Sequence, residues 1–189
     1  QAGAGQNPAR QASVGAGIPM QVPPITINKV CLSGLDAIAL ADQLIRAGEH
    51  EVIVAGGMES MSNGPHYLPR SREGAKYGDW ALKDSVANDA LTCAFDQMAM
   101  GQSTESFNSK YELTREQQDD YSVHSHARSH AATQAGIFAA EIVPVEVTVG
   151  KGKFITVAED EGIRPDTSSE SLAKLKPAFA SAGTITAGN

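Results

Sequence analysis

Only two cysteines stand in 189 residues, Cys31 and Cys93. That is too few for a disulfide framework, and neither sits in a CxxC or a cysteine/histidine metal spacing. Two reduced thiols are expected. No stretch approaches the roughly 18 consecutive apolar residues of a membrane-crossing helix, and the first residues lack the charged and apolar zones of a signal peptide. A chain with no membrane partner, working in the cytoplasm, is the default expectation. Positive charge is short as well: 15 Lys and Arg against 22 Asp and Glu leave a net −7. Phosphate-backbone binding needs a concentrated excess of basic side chains, which argues against a nucleic-acid partner but leaves room for a local pocket that takes one small anion. Internal repeats and low-complexity tracts are missing too.

What is present reads as an ordinary globular chain. An apolar fraction of 41% with 20% charged residues is close to folded composition, and the length suits about one domain with its own core. Pro8 marks the first turn of a short helix through Ala12 to Gly15, and "ITINKV" (25–30) alternates as a strand that leads into Cys31. From Ser33 to Gly48, Leu35, Ile38, Leu44 and Ile45 recur at helical spacing, with Asp36, Asp42 and Arg46 on the wet side. "VIVA" (52–55), ended by Gly56 and Gly57, predicts a buried strand and a tight turn. Strand, helix, strand in this order predicts a parallel crossover and an α/β layer.

After Met61 the character changes to an excursion of loops and short helices rich in Pro, Gly and Tyr. Residues 89–111 predict a helix with one apolar face. Thr114, three residues before Gln117, predicts a capped helix that ends near Gly136, and "EIVPVEVTV" with "KFITV" predicts an exposed pair of strands.

Chemistry centres on Cys31. A thiol between a strand end and a helix start meets unpaired backbone N–H groups and the positive end of the helix dipole, which favour the thiolate. The small residues Ser33 and Gly34 let the backbone approach a ligand, and the Cys31 N–H itself is a candidate oxyanion donor. The same local pattern fits a small apolar residue buried beside a helix start equally well. Cys93 reads as a buried residue on an apolar helix face. His124, His126 and His130 read as a solvated helix surface, because no HExxH or carboxylate pattern completes a metal site. The "AGG" turn lacks the spacing of a phosphate-binding loop, and in the acidic loop "EDEGIRPD" Arg164 stands out as an anion contact.

Four segments, in their order and spacing, resemble the thiolases, specifically the acetyl-CoA acetyltransferases: "GQNPARQA", "INKVCLSGLDAI" with Asn28, Cys31, Ser33 and Gly34, "VIVAGGMESMSNGPH", and "LKPAFASAGTITAGN". The resemblance covers essentially the whole chain and strengthens the nucleophile reading of Cys31. It implies a partial thiolase fold, an α/β architecture truncated at both ends. Residues 1–60 would form part of the N-terminal core with the nucleophile elbow, 61–183 a loop domain that shapes the coenzyme A pocket, and 184–189 the start of the return to the core. Matching positions imply that Leu91, Met100, Ser171, Phe179 and Ala187 line the pantetheine and acyl end. Arg164 would lie against the adenine end, where a planar cation stacks on a base.

The implied activity is reversible acyl transfer through a Cys31 acyl-enzyme, either joining two acetyl-CoA into acetoacetyl-CoA or cleaving a 3-ketoacyl-CoA. Coenzyme A serves as substrate and product; no cofactor and no metal is implied, and the complete protein would be a homodimer or homotetramer. Two positions depart from the family pattern: Ala99, where many acetoacetyl-type members carry a histidine or another polar group, and Leu32, where Gly or Ala is frequent. The family's second-half motifs, Asn-Glu-Ala-Phe, Gly-His-Pro and a second reactive cysteine, do not occur in this sequence. A fragment with an uncovered apolar face, inactive alone, is therefore expected. Two other readings remain: a ketoacyl synthase-like condensing enzyme, and a non-catalytic module of the same fold.

Overall fold

Asn7, in the left-handed region at φ 44°, opens the first helix of the computed structural model, which describes residues 2–189. Its side chain accepts from the Arg10 N–H at 3.3 Å and Pro8 takes the first turn, so α1 runs Pro8–Gly15 as the sequence predicts. The following loop is pinned back onto α1. Arg10 Nη1 donates to the Met20 and Val22 carbonyls at 2.9 Å each, and Thr26 Oγ1 donates to Asn7 Oδ1 at 2.7 Å. Helix α2 spans Ser33–Arg46 and stops before Gly48, whose φ of 75° suits a residue without a side chain.

The two strands predicted to flank α2 do not form. Residues 25–30 contribute only an isolated Lys29–Cys31 bridge, and 52–55 pair with nothing among the described residues. Val52 and Val54 are 85% and 82% exposed. A parallel strand is stable only when neighbours complete its hydrogen-bond ladder and cover both faces. The described residues supply neither, so the predicted apolar pattern is present without its partners. On α2 only Ala41 is buried, while Leu35, Ile38 and Ile45 stay open.

Paired strands occur instead in two antiparallel hairpins. A short one joins β1 (His66–Tyr67) to β2 (Lys83–Asp84), inside the predicted excursion. Between β2 and the next helix, the sequence predicts helix from residue 89; the structure has a single π-helical turn, Ala87–Leu91, then a tight loop to Ala99. Asp96 Oδ1 accepts the Met98 N–H at 3.0 Å and Cys93 N–H donates to the Met98 carbonyl at 2.8 Å. This local side-chain bonding competes with the helical ladder, and Gln97 adopts φ 59°. Helix α3 therefore starts only at Met100 and runs to Lys110.

The chain forms two compact units, one ending at Met98 and the other spanning Ala99–Asn189. In the second, α3 is followed by α4 (Arg115–Gln134), opened by a complete capping box: Gln117 N–H donates to Thr114 Oγ1 at 3.2 Å, and Thr114 N–H to Gln117 Oε1 at 2.9 Å. Strands β3 (Val145–Gly150) and β4 (Lys153–Val157) pair with Val145 opposite Val157 and Val147 opposite Ile155, exposed along their length as predicted. The short α5 (Ser169–Leu172) buries Leu172. Among the described residues, no helix is long and apolar enough to cross a membrane.

Replacing Thr114 by alanine removes one half of the α4 capping box and is expected to cost about 1 kcal/mol. Urea unfolding of the whole protein, followed by circular dichroism, should show a lowered midpoint; an unchanged midpoint would mean the box carries no stability.

Candidate active site

Cys31 lies exposed at an elbow built by its neighbours. Val30 sits at φ 52°, a left-handed conformation that β-branched residues rarely adopt. Three side-chain hydrogen bonds hold it there. Asn28 Oδ1 accepts the Val30 N–H at 2.8 Å; Ser33 Oγ accepts the Lys29 N–H at 2.8 Å and donates to the Val30 carbonyl at 2.7 Å. Lys29 Nζ also reaches Asp36 Oδ1 at 2.8 Å, tying the turn to the first turn of α2. The thiol is thus displayed where the chain turns into the helix, and the reading of Cys31 as a buried apolar filler does not hold in this structure.

The tight turn predicted at "AGG" does not form, residues 55–57 being irregular, but this segment packs against the elbow. A Cβ built on Gly57 would stand 3.1 Å from the Cα of Gly34, closer than nearly all real contacts, while one on Gly34 would stand 3.5 Å from the Cα of Gly57. Glycine at 57 lets the backbones meet where a side chain there would crowd them. Leu91 also belongs to this first unit, as the last residue of the π-helical turn. That turn is clasped by Tyr67, whose hydroxyl donates to Asp89 Oδ1 at 2.8 Å, while Asn88 Nδ2 donates to Tyr67 Oη at 2.8 Å. The hydrogen bond to Asp89 raises the Tyr67 pKa; Asn88 first, then Tyr67, lower that of Asp89. Cys93 is only half-buried and lies in the 92–99 loop, not on the predicted helix face, with its thiol against the Asp96 carboxylate.

The other predicted residues lie in the second unit. Met100 opens α3, and the Phe179 ring lies so close over the next residue that a Cβ on Gly101 would collide with it. The Ala178 N–H donates to the Ile185 carbonyl at 2.9 Å, joining the Phe179 segment to the one that carries Ala187. Ala187 is exposed, between buried Thr186 and Gly188, and a Cβ on Gly188 would crowd Leu172 and Leu175. Ser171 is near in sequence to these leucines, but its hydroxyl is engaged in its own helix cap, donating to the Ser168 carbonyl at 2.8 Å and accepting from its N–H at 3.0 Å. Arg164 is exposed on the acidic loop.

Two features escape the sequence. His126, read there as plain helix surface, accepts the Arg164 N–H on Nδ1 at 3.2 Å, which requires that nitrogen to be unprotonated. His124 turns to the Asp120 carbonyl, and among the described residues no group of three or more His, Cys, Asp or Glu can hold a metal.

The second is a buried polar network around Glu105. Its Oε1 accepts from the Thr184 N–H at 2.7 Å and from Thr184 Oγ1 at 2.8 Å, and Oε2 accepts the Ile185 N–H at 3.0 Å. Asn189 Nδ2 donates to Asp119 Oδ1 at 2.6 Å, and Arg115 holds that carboxylate through Nε at 2.8 and 2.9 Å. Polar residues on helices α3 and α4 look like solvent-facing positions in the sequence, so no periodicity marks them as anchors.

Burial alone pushes the Glu105 carboxyl up, but the N–H groups of Thr184 and Ile185 with the Thr184 hydroxyl outweigh it, and the net shift is down from the ordinary 4.5. A group whose folded pKa is depressed stabilises fully above its unfolded value and loses that contribution as pH falls through the folded value. Urea midpoints of the whole protein should therefore drop on acidification below about pH 4.5, and Glu105→Gln should flatten that limb; identical slopes would contradict it. Gly57→Ala should cost about 1–2 kcal/mol in the same assay, and Gly34→Ala much less, because alanine at 34 makes ordinary contact and gains helix propensity. Equal losses would argue against the close approach.

Comparison with known proteins gives the family and the fold. The sequence matches the family described as "Thiolase, N-terminal domain" over residues 1–189. It is 60% identical over 188 residues to a Mycolicibacterium smegmatis protein named "Probable acetyl-CoA acetyltransferase", covering 100% of this chain and 48% of that protein. It is 50% identical, with the same coverage, to the "Acetyl-CoA acetyltransferase" of Thiocystis violacea. The crystal structure of the Bacillus anthracis acetyl-CoA acetyltransferase superposes with a TM-score of 0.91 at 38% identity, over 97% of this chain and 46% of that one. The chain spans about half the length of the curated relatives it matches. With its elbow at Cys31, its partial thiolase fold and this family match along its length, the chain belongs to the thiolase family.

Proposed function

We propose that the whole protein is an acetyl-CoA acetyltransferase and that Cys31 is its nucleophile. The observation that carries this reading is the exposed thiol at the head of α2, on an elbow whose left-handed residue is braced by Asn28 and Ser33. A nucleophile raised on a sharp turn into a helix is accessible to a bound thioester while its backbone stays fixed. The Cys31 thiolate attacks the thioester carbonyl; a carbon–sulfur bond forms, and the electron pair moves to the carbonyl oxygen, held by the Cys31 N–H. Collapse of that intermediate expels the coenzyme A thiolate, which takes up a proton, and leaves an acyl-cysteine.

In synthesis, acetyl-CoA loses an α-proton and its carbanion attacks the acyl-cysteine. A carbon–carbon bond forms, the Cys31 thiolate leaves, and acetoacetyl-CoA is released. Thiolysis is the reverse. Acyl transfer between thiols needs no cofactor, and coenzyme A enters and leaves as substrate and product. The proton transfers fall to the histidine and second cysteine of the family's other half, whose motifs are not in this sequence; residues 1–189 alone should not turn over.

In this reading residues 1–60 are core, 61–183 a loop domain and 184–189 the return. Leu91, Met100, Ser171, Phe179 and Ala187 contact the acyl and pantetheine end, and Arg164 the adenine. Ser171 would use the acceptor capacity its cap leaves free. The apolar residues that α2 leaves open suit the packing of the second half, in a homodimer or homotetramer working in the cytoplasm.

Incubating the whole protein with radiolabelled acetyl-CoA and quenching in acid should place the label on the Cys31 peptide. Cys31→Ala should lower turnover about a thousandfold or more. Label elsewhere, or turnover untouched by the substitution, would overturn the assignment.

A further inference from the structure

The return segment 184–189 is held by a dense set of polar contacts, beside the close approach of Gly188 to Leu172 and Leu175. Thr184 is the hub. Its N–H and hydroxyl both donate to Glu105 Oε1, its hydroxyl oxygen accepts from Gln118 Nε2 at 2.9 Å, and its carbonyl accepts from Asn189 Nδ2 at 3.1 Å. Asn189 closes the segment on itself by accepting the Thr186 N–H at 2.7 Å, while its amide reaches Asp119. Glu105, Asp119 and Thr186 are all buried. A Cβ on Gly183 would come within 2.6 Å of Glu105 Oε2, so the chain presses onto this carboxylate as it enters the segment.

From this geometry we infer that Glu105 is a positioning residue for acyl-CoA: its carboxylate sets the distance between α3 and the 184–189 segment, and so the spacing of Met100, Phe179 and Ala187, which the proposed function places along the pantetheine arm. The inference deepens the function proposed above and rests on its assignment of those three residues. One end of the device is Glu105, about one turn along α3 from Gly101, on which the Phe179 ring sits; the other is Thr184, three residues before Ala187. Phe179 is tied to the same frame by the Ala178–Ile185 hydrogen bond and by its seat on Gly101.

A carboxylate suits the position because both oxygens accept. A glutamine would keep the length but point an amide donor at either the Ile185 N–H or the Thr184 pair, and donor facing donor pushes the segment away. The charge itself is stabilised there, since the donors outweigh burial and keep Glu105 ionised at neutral pH.

The test uses the whole protein and four forms: wild type, Glu105→Gln, Thr184→Val and Thr184→Ser. Calorimetry gives the dissociation constant for coenzyme A, steady-state kinetics give KM and kcat for acetyl-CoA, and circular dichroism confirms folding at the assay temperature. Glu105→Gln should raise Kd and KM about tenfold, with kcat within about twofold, the signature of lost binding that is uniform between ground and transition states. Thr184→Val, which keeps the shape and both backbone bonds but loses the hydroxyl, should give a smaller rise, about threefold. Thr184→Ser should restore wild-type values. Should Glu105→Gln fail to fold, the Val and Ser pair at 184 decides alone.

Folded variants with lowered unfolding midpoints but unchanged Kd and KM would reduce Glu105 to a purely structural anchor and overturn the inference while leaving the proposed function intact. A wild-type protein that binds no coenzyme A would overturn that function, and this inference with it.

Discussion

The left-handed turn at Val30 is the constraint on which the candidate site depends. A β-branched residue in that region costs on the order of 1–3 kcal/mol, and it persists only because its surroundings over-determine it. Three side-chain hydrogen bonds from Asn28 and Ser33, each contributing about 0.5–1.5 kcal/mol, are of the size needed to offset that cost. Gly57 adds a steric condition: a side chain there would crowd the backbone of Gly34, whereas one at 34 would make ordinary contact. Asn28 and Ser33 stand beside Cys31 with a mechanical role, since each braces the turn that puts the thiol at the surface.

The second unit works on a different principle. Its helices α3 and α4 bury Glu105, Asn108 and Asp119, and Leu172 on α5 is its one buried apolar residue among those described. No buried side-chain nitrogen or oxygen among the described residues lacks a partner, so the network is fully satisfied. A fully satisfied polar network rigidifies the segment and specifies its position, because hydrogen bonds are directional whereas apolar contacts are not.

The sequence makes some of this legible and hides the rest for identifiable reasons. Helix α2 follows from the spacing of Leu35, Ile38 and Ile45, α4 from Thr114 and Gln117, and the β3–β4 hairpin from its alternating valines, because local periodicity and capping decide each one. The strands at 25–30 and 52–55 fail because a strand is a property of a pair, and Val52 and Val54 have no partner among the described residues. The helix predicted from residue 89 starts late because Asp96 and Gln97 spend their bonding on a tight loop. Cys31 stands out through its motif and the small residues around it. Glu105 does not, since a carboxylate on a helix reads as solvated until Thr184, 79 residues away, is seen to cap it.

Thiol reactivity separates the two cysteines, since Cys31 is displayed on its elbow and Cys93 is half-buried against Asp96. The most direct measurement is the rate of iodoacetamide alkylation at each cysteine of the whole protein near neutral pH, read by peptide mass spectrometry with and without acetyl-CoA. With Cys31 as the nucleophile, modification is fast at Cys31 and slow at Cys93, and acetyl-CoA protects Cys31 alone. Equally slow rates at both cysteines, with no protection, would contradict that role.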